Sequence, residues 1–598
     1  VTARAILGLV AFNLFVLTVG AGVLWGVRGW RWWTDLVRLA GLAYLLGLSA
    51  LMILLTFEIV VGIPMGVPAI LVTGAAVIAV GVLVGRRRRF VPPGWRPPGW
   101  RVPGISLVAA LFVAGIVVYF ESLFRAQRLQ GVAQEWDSWA NWLPKAKQLY
   151  ATGHLDPEFL SLVTPSQPPG YPPGPAVIQA AAFHAMGSMD TVTLHLQYWF
   201  MAAGFVLAVA GLLAGRVRGA ILFPVLLALL VSPTVLEWIA TVYSDLPVGY
   251  LVAVAALLIA LWLEDRQTWR LAAATVLLSG AMLTKREGLL FAACVLLAAF
   301  VASVGDRRRL WRPLLVAGLA AFALALPWRF YFTAHGLAGD GPQLGYLPLS
   351  HLDVAWPALR LNVSTFLDPD RFLYVPALAV VAIVLAALAG ASRIALYSGT
   401  LTVAAVAGGA WVSWAYPVAY NDLWPVRRFT AITVLVLAAL TPLLLQKAWS
   451  AVRAQGPTAG RSLLDLFFRP SRVVWVVVLV GVLSHPGSML LGYSRSGLPG
   501  GWPVFPGVAA CATARVPATG PDVRVVLGQA DSYPAASVLK QQALSAGLVG
   551  AQVGQDGCGN ARVFVEAGSP AESQALVDAA RAANLEPTLE GIEVQRAP

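Results

Sequence analysis

The chain is 598 residues long, 58% hydrophobic and only 12% charged, with a mean hydropathy of +0.73. An ordinary soluble domain, with about 25% charged residues, is excluded. The net charge of +13 does not call for nucleic acid, because the basic residues gather in short loops between apolar runs, the pattern that orients membrane helices.

Those apolar runs are each long enough to cross a bilayer as a helix. The expected fold is an all-α polytopic membrane protein of about 14 transmembrane helices, with a small C-terminal α+β domain. Rich use of Ala, Arg and Gly points to a bacterial plasma membrane. The first three spans fall near 4–25, 36–60 and 66–85. The first ends in "VLWGVRGWRWW", which offers no small-residue cleavage site, so it reads as a retained anchor. The connector "RRRRFVPPGWRPPGWRVPG" (86–104) cannot be helical at its Pro-Pro-Gly pairs. It closes an N-terminal three-span unit, 1–104.

A transmembrane core is expected over 105–492, with spans near 105–121, 190–214, 219–235, 247–263, 270–284, 288–304, 313–327, 373–390, 395–414, 429–446 and 473–492. Arg86 to Arg89 place the end of the third span in the cytoplasm. Counting onward, Arg216, Arg218, Arg266, Arg270, Arg307 to Arg309, Arg393 and Lys447 also fall inside. Segments 122–189, 236–246, 328–372 and 415–428 are then extracytoplasmic, as is the tail 493–598.

The first outer loop opens with "QEWDSWANWLPKAKQLY" (134–150). Trp136, Trp139, Leu143 and Tyr150 recur at near-helical spacing, and Asp137, Asn141 and Lys145 recur at four. This predicts an amphipathic helix lying in the interface, split in two by Pro144, which suits a first helical turn. A plain interfacial anchor would explain the tryptophans but not Glu135 and Asp137. Then "PSQPPGYPPGPAVIQAAAF" (165–183) predicts an extended proline run leading into a short apolar helix.

In the next outer loop, "LEWIATVYSDLPVGY", Asp245 stands just before Pro247, where it could cap the following helix or serve the chemistry; Glu237 is a weaker companion. In "MLTKREGLLF", Lys285, Arg286 and Glu287 interrupt two apolar runs at the outer end, where the orientation rule disfavours two cations. Either they reach ordinary headgroups or they hold a lipid phosphate. The loop 328–372 is long enough for a lid, its histidines match no zinc spacing, and "NVS" (362–364) fits an N-glycosylation acceptor. Arg427 and Arg428, in "YNDLWPVRRFT", suit bidentate phosphate contacts.

The tail alternates strands and helices in the order βαββαβ: 523–529, 533–548, 551–555, 561–567, 569–585 and 591–595. This predicts a ferredoxin-like sandwich. Cys511 and Cys558 lie in the exported tail and are expected to form a disulfide. No Walker A motif or paired CxxC is present.

The acid in "WDSWANWLPKAKQLY" after a span, followed by "YPPG" and a helix, resembles the GT-C superfamily of membrane glycosyltransferases, nearest to family 39-like enzymes that use polyprenyl-phosphate sugars. The resemblance covers roughly 105–450. Two departures separate the chain from protein mannosyltransferases: Glu135-Trp136-Asp137 replaces adjacent Asp-Glu, and Tyr171 replaces the usual His. The resemblance implies Asp137, with Glu135, as the catalytic acids. It implies Lys285, Arg286, Arg427 and Arg428 as ligands of the donor phosphate, supported by Asp245, Tyr171 and Lys145, with Asp245 a site for Mg or Mn. The donor would be a polyprenyl-phosphate sugar and the acceptor a lipid, glycan or protein hydroxyl, with membrane lipids around them. A flippase for polyprenyl-linked lipids and a non-enzymatic envelope scaffold are the competing expectations.

Overall fold

The computed structural model describes residues 3–30, 32–90, 94, 107–127, 137–157, 160, 171–239, 241–337, 352–415, 423–454, 523–530, 533–555 and 561–591. The helices are α1 (Ala3–Val27), α2 (Trp33–Arg38), α3 (Ala40–Val60), α4 (Val67–Arg87), α5 (Leu107–Gln127), α6 (Leu143–Thr152), α7 (Gly174–Met186), α8 (Thr191–Leu213), α9 (Gly219–Leu230) and α10 (Pro233–Ile239). They continue with α11 (Asp245–Asp265), α12 (Thr268–Thr284), α13 (Arg286–Ala302), α14 (Arg307–Ala334), α15 (Leu352–Leu367), α16 (Pro369–Phe372), α17 (Val375–Leu388), α18 (Ser392–Ala415) and α19 (Leu423–Ala454).

Helix is found within each stretch read as a span from 4–25 to 429–446, as far as its residues are described; the stretch 473–492 lies outside the described residues. Among the described residues eight helices are long and apolar enough to cross a membrane, or nine if α9 and α10 form one broken span. The fold is that of a multi-pass helical membrane protein.

One long apolar core runs from Ala5 to Leu444, so the N-terminal helices share it despite the proline-rich connector. Helices α1 and α3 approach backbone to backbone: a Cβ on Gly20 would stand 1.6 Å from the Ala43 carbonyl oxygen. Small residues permit such contact between membrane helices, where packing rather than water drives association. A closed ring of hydrogen bonds then ties both helices to α8. Tyr44 donates to Asn13 (2.7 Å), Asn13 to Gln197 (2.9 Å), and Gln197 to Tyr44 (2.9 Å). Each buried polar group thereby finds a partner where water would not supply one.

The span expected over 219–235 is broken. Helices α9 and α10 meet at 70°, because Pro233 brings no amide hydrogen to the ladder. Ser232 reinforces the corner, donating to the Ala228 carbonyl at 2.8 Å and reaching that of Phe372 at 3.3 Å. The 328–372 loop is also shorter than expected, since α14 runs on to Ala334 and α15 packs on α18 and α19. Asn362 is buried and donates to Ala358 and Ser413, which leaves its amide unable to carry a glycan in this fold.

Helix α11 is the centre of the bundle, fully buried along its apolar window, and at 21 residues it is about 30 Å long. Two charged clusters mark its ends. Asp245 begins one, described below. At the other, Asp265 pairs with Arg216 (3.0 Å) and Arg270 (2.5 Å), Asp306 with Arg266 and Arg393, and Glu264 with Lys447 (2.5 Å). These cations were all assigned to one side by the sequence, and they gather at one end.

The tail forms β1 (Val523–Ala530), α20 (Tyr533–Ser545), β2 (Gln552–Gln555), β3 (Ala561–Ala567), α21 (Pro570–Ala582) and β4 (Thr588–Gly591). The antiparallel sheet has the order β2-β3-β1-β4, the ferredoxin-like arrangement. Ser569 caps α21 through the Glu572 amide. The last strand begins at Thr588, before the expected 591–595, pairing Thr588 with Val526 and Gly591 with Val523; residues 592–595 lie outside the described residues. Cys511 and Cys558 lie outside the described residues.

Candidate functional site

Asp137 stands at the head of a π-helical turn, Ser138–Trp142, that runs into α6. Single π turns are wider than α turns and recur at functional sites. Pro144 lies in the first turn of α6, as its missing amide allows. The segment is not a helix lying with one polar face in water. Asn141 and Lys145 are each only 1% exposed, and Lys145 Nζ donates to Asn141 Oδ1 at 2.7 Å. Burial, with Arg286 nearby, lowers the Lys145 pKa to about 7.

Tyr171 sets its ring edge against Trp142, with centroids 5.4 Å apart. The Arg286 guanidinium stands 5.2 Å from the Tyr171 ring and the Lys285 ammonium 5.9 Å, distances suited to cation–π attraction. Burial, together with Glu287, raises the Tyr171 phenol to about 12. The rest of "YPPG" explains how the loop comes so close. Pro175 opens α7, and a Cβ on Gly174 would stand 2.4 Å from the Leu283 carbonyl oxygen and 2.5 Å from Met52 Sδ. Only a glycine lets α7 rest on the end of α12 beside Lys285.

Between α12 and α13 the chain straightens at Lys285 (φ −155°, ψ 157°), which turns its side chain into the protein. Lys285 Nζ reaches Asp245 Oδ1 at 2.7 Å and Glu287 Oε1 at 3.0 Å. Asp245 does not cap α11: Ser244 holds the cap position, without a side-chain cap bond. Instead Asp245 accepts from Lys285 and, at 2.5 Å, from Arg428 Nη2. The same Nη2 donates to Asp137, and the Arg428 guanidinium lies 5.1 Å from the Tyr243 ring.

The structure thus brings together Asp137, Asp245, Lys285 and Arg428, with Arg286, Tyr171 and Lys145 around them. Arg427 acts electrostatically on Glu237, as does Arg371. Glu135 lies outside the described residues. A divalent metal at Asp245 does not fit this arrangement. Lys285 and Arg428 occupy both carboxylate oxygens, and among the described residues no group of three or more His, Cys, Asp or Glu gathers. One member was not singled out in the sequence, Tyr243, which stands against the Arg428 guanidinium. Its signal was its place two residues before Asp245.

No family model matches the chain, and neither a curated protein nor a solved structure matches it.

Proposed function

We propose that the protein is an inverting GT-C-type glycosyltransferase that moves a sugar from a polyprenyl phosphate to an acceptor hydroxyl at the extracytoplasmic face of a bacterial plasma membrane. The core would carry about 14 spans, and the tail would lie on the same side as the site. The observation that carries this reading is the meeting of Asp137 with Arg428 and Asp245, acid and cation drawn from three distant segments at one end of α11.

The chemistry follows from the charges. Asp137 accepts the proton of the acceptor hydroxyl, whose oxygen bonds to the anomeric carbon as the sugar–phosphate bond breaks and its electron pair leaves with the phosphate. Arg428, Lys285 and Arg286 stabilise the charge that collects there. Asp245, 1% exposed, holds Arg428 and Lys285 in place. Trp142 Nε1, Ser244 Oγ and Glu287 Oε2 are buried with no hydrogen-bond partner among the described residues and would serve the hydroxyls of the sugar. Buried polar groups left unpaired in a native fold call for a ligand or water.

The test is transfer by purified protein offered polyprenyl-phosphate sugars, with Asp137→Asn alongside. A general base contributes about 10²–10⁴-fold, so the variant loses nearly all transfer while remaining folded. A wild type inert toward every such donor sinks the reading; wild-type rates from the variant remove Asp137 from the base role. The 70° break between α9 and α10 favours a second reading, a flippase of polyprenyl-linked lipid, since broken helices are common in transporters. Movement of labelled lipid between leaflets without sugar transfer would select it.

A further inference from the structure

At the opposite end of the helices, where Asp265 and Asp306 pair with their arginines, lies a half-open cavity of about 350 Å³. Arg28, Arg38, Arg216 and Arg270 line it, with Trp269 and Gln267. Arg28 follows α1, Arg38 ends α2, Arg216 lies in the α8–α9 turn and Arg270 in the first turn of α12. Four separate pieces of chain thus aim cations at one space.

Orientation in the membrane does not require this. A cation that only sets topology stays in water at the end of its stem. Arg270 is instead 4% exposed, and its Nε is buried with no hydrogen-bond partner among the described residues. Arg28 and Arg270 both stand against the Trp269 ring, 5.4 and 5.3 Å from its centroid. Asp265 takes Arg216 and Arg270, and Asp35 acts on Arg28. Glu264 also acts on Arg270 but is itself paired with Lys447, so four guanidiniums against Asp265 and Asp35 leave an excess of positive charge over the cavity.

We infer that this cavity binds a phosphate group, carried either by an anionic lipid headgroup or by a soluble phosphate compound. Guanidinium forks match phosphate oxygens two at a time, and basic pockets between membrane helices take anionic headgroups. The cavity is of the size of a small ligand site. It lies at the far end of α12 from Lys285, and 17 residues of helix amount to about 25 Å. Its occupant is therefore a different molecule from one bound at Asp137.

The full chain would be placed in nanodiscs of phosphatidylcholine with and without phosphatidylglycerol and its retained lipids counted by native mass spectrometry. In parallel, detergent-solubilised protein would be titrated with glycerol phosphate. Retention of phosphatidylglycerol assigns the lipid; saturable binding of glycerol phosphate assigns the soluble source. In either arm Arg28→Gln/Arg38→Gln should weaken binding at least tenfold, and Arg38→Gln alone, at an exposed side chain, severalfold. Asp137→Asn should leave it unchanged. The inference fails if wild type holds neither probe, or if Arg38→Gln and the double variant both bind as wild type does.

Discussion

Arg428 Nη2 donates both to Asp137, 291 residues away in the chain, and to Asp245, so one guanidinium nitrogen joins the loop acid to the buried acid of α11. The two carboxylates are not equal partners. Asp245 is 1% exposed and also receives Lys285, whereas Asp137 is 16% exposed. Removing one member of a buried ion pair leaves the other charge uncompensated, at a cost of about 3–5 kcal/mol. Asp245→Ala should therefore lower stability by that amount, and Asp137→Ala by less, because water can replace its carboxylate. Unfolding followed in detergent checks the ranking, and a reversed order would deny Asp245 its supporting role.

The adjacent arginines should separate cleanly. Arg428 reaches both aspartates, while Arg427 acts on Glu237 instead. Arg428→Gln is expected to abolish sugar transfer, and Arg427→Gln to leave it within a few-fold of wild type. Initial rates with a polyprenyl-phosphate sugar decide the matter. Equal losses would mean that both guanidiniums serve the donor.

The bundle was legible because membrane helices announce themselves: an apolar run without charge, such as Leu246 to Leu263, has no other stable form in lipid. The acids and cations at the site were legible for the converse reason, since Asp245 and Lys285 are costly beside a membrane and need partners. Which cation meets which acid was not legible. Arg427 and Arg428 differ only in helical phase, and a shift of one residue turns a side chain by about 100°. The break at Ser232 had a local signal, Ser-Pro within an apolar run, but hydropathy alone reads through it. The burial of Asn141 and Lys145 had no signal at all, because their spacing fits a wetted helix face equally well until α7 packs over them.

Gly174 offers a test of packing rather than charge. Its missing side chain lets α7 touch the Leu283 carbonyl, and Leu283 stands two residues before Lys285. Gly174→Ala must push α7 or the end of α12 aside, and a backbone carbonyl cannot rotate away as a side chain would. Overpacking of this kind costs about 1–3 kcal/mol. Both stability and transfer should fall, although no charged group has changed. A variant with wild-type unfolding and wild-type rates would show that the contact between Tyr-Pro-Pro-Gly and α12 is dispensable.

Lys145 supplies the pH dependence. Burial and the neighbouring Arg286 bring its pKa from 10.5 down to about 7, so at pH 8 most molecules carry it neutral. An anionic phosphate bound near Arg286 favours the charged form and raises that pKa. Donor binding at pH 8 is then coupled to proton uptake, and by linkage affinity falls as pH climbs from 7 toward the pKa of the bound state. Below pH 7 the lysine is protonated with or without ligand, and the dependence should vanish. Calorimetric titration with a polyprenyl-phosphate sugar in buffers of different ionisation enthalpy measures the proton directly. Lys145→Met should remove the uptake and flatten the affinity profile above pH 7. Should wild type take up no proton at pH 8, the donor phosphate does not sit within reach of Lys145.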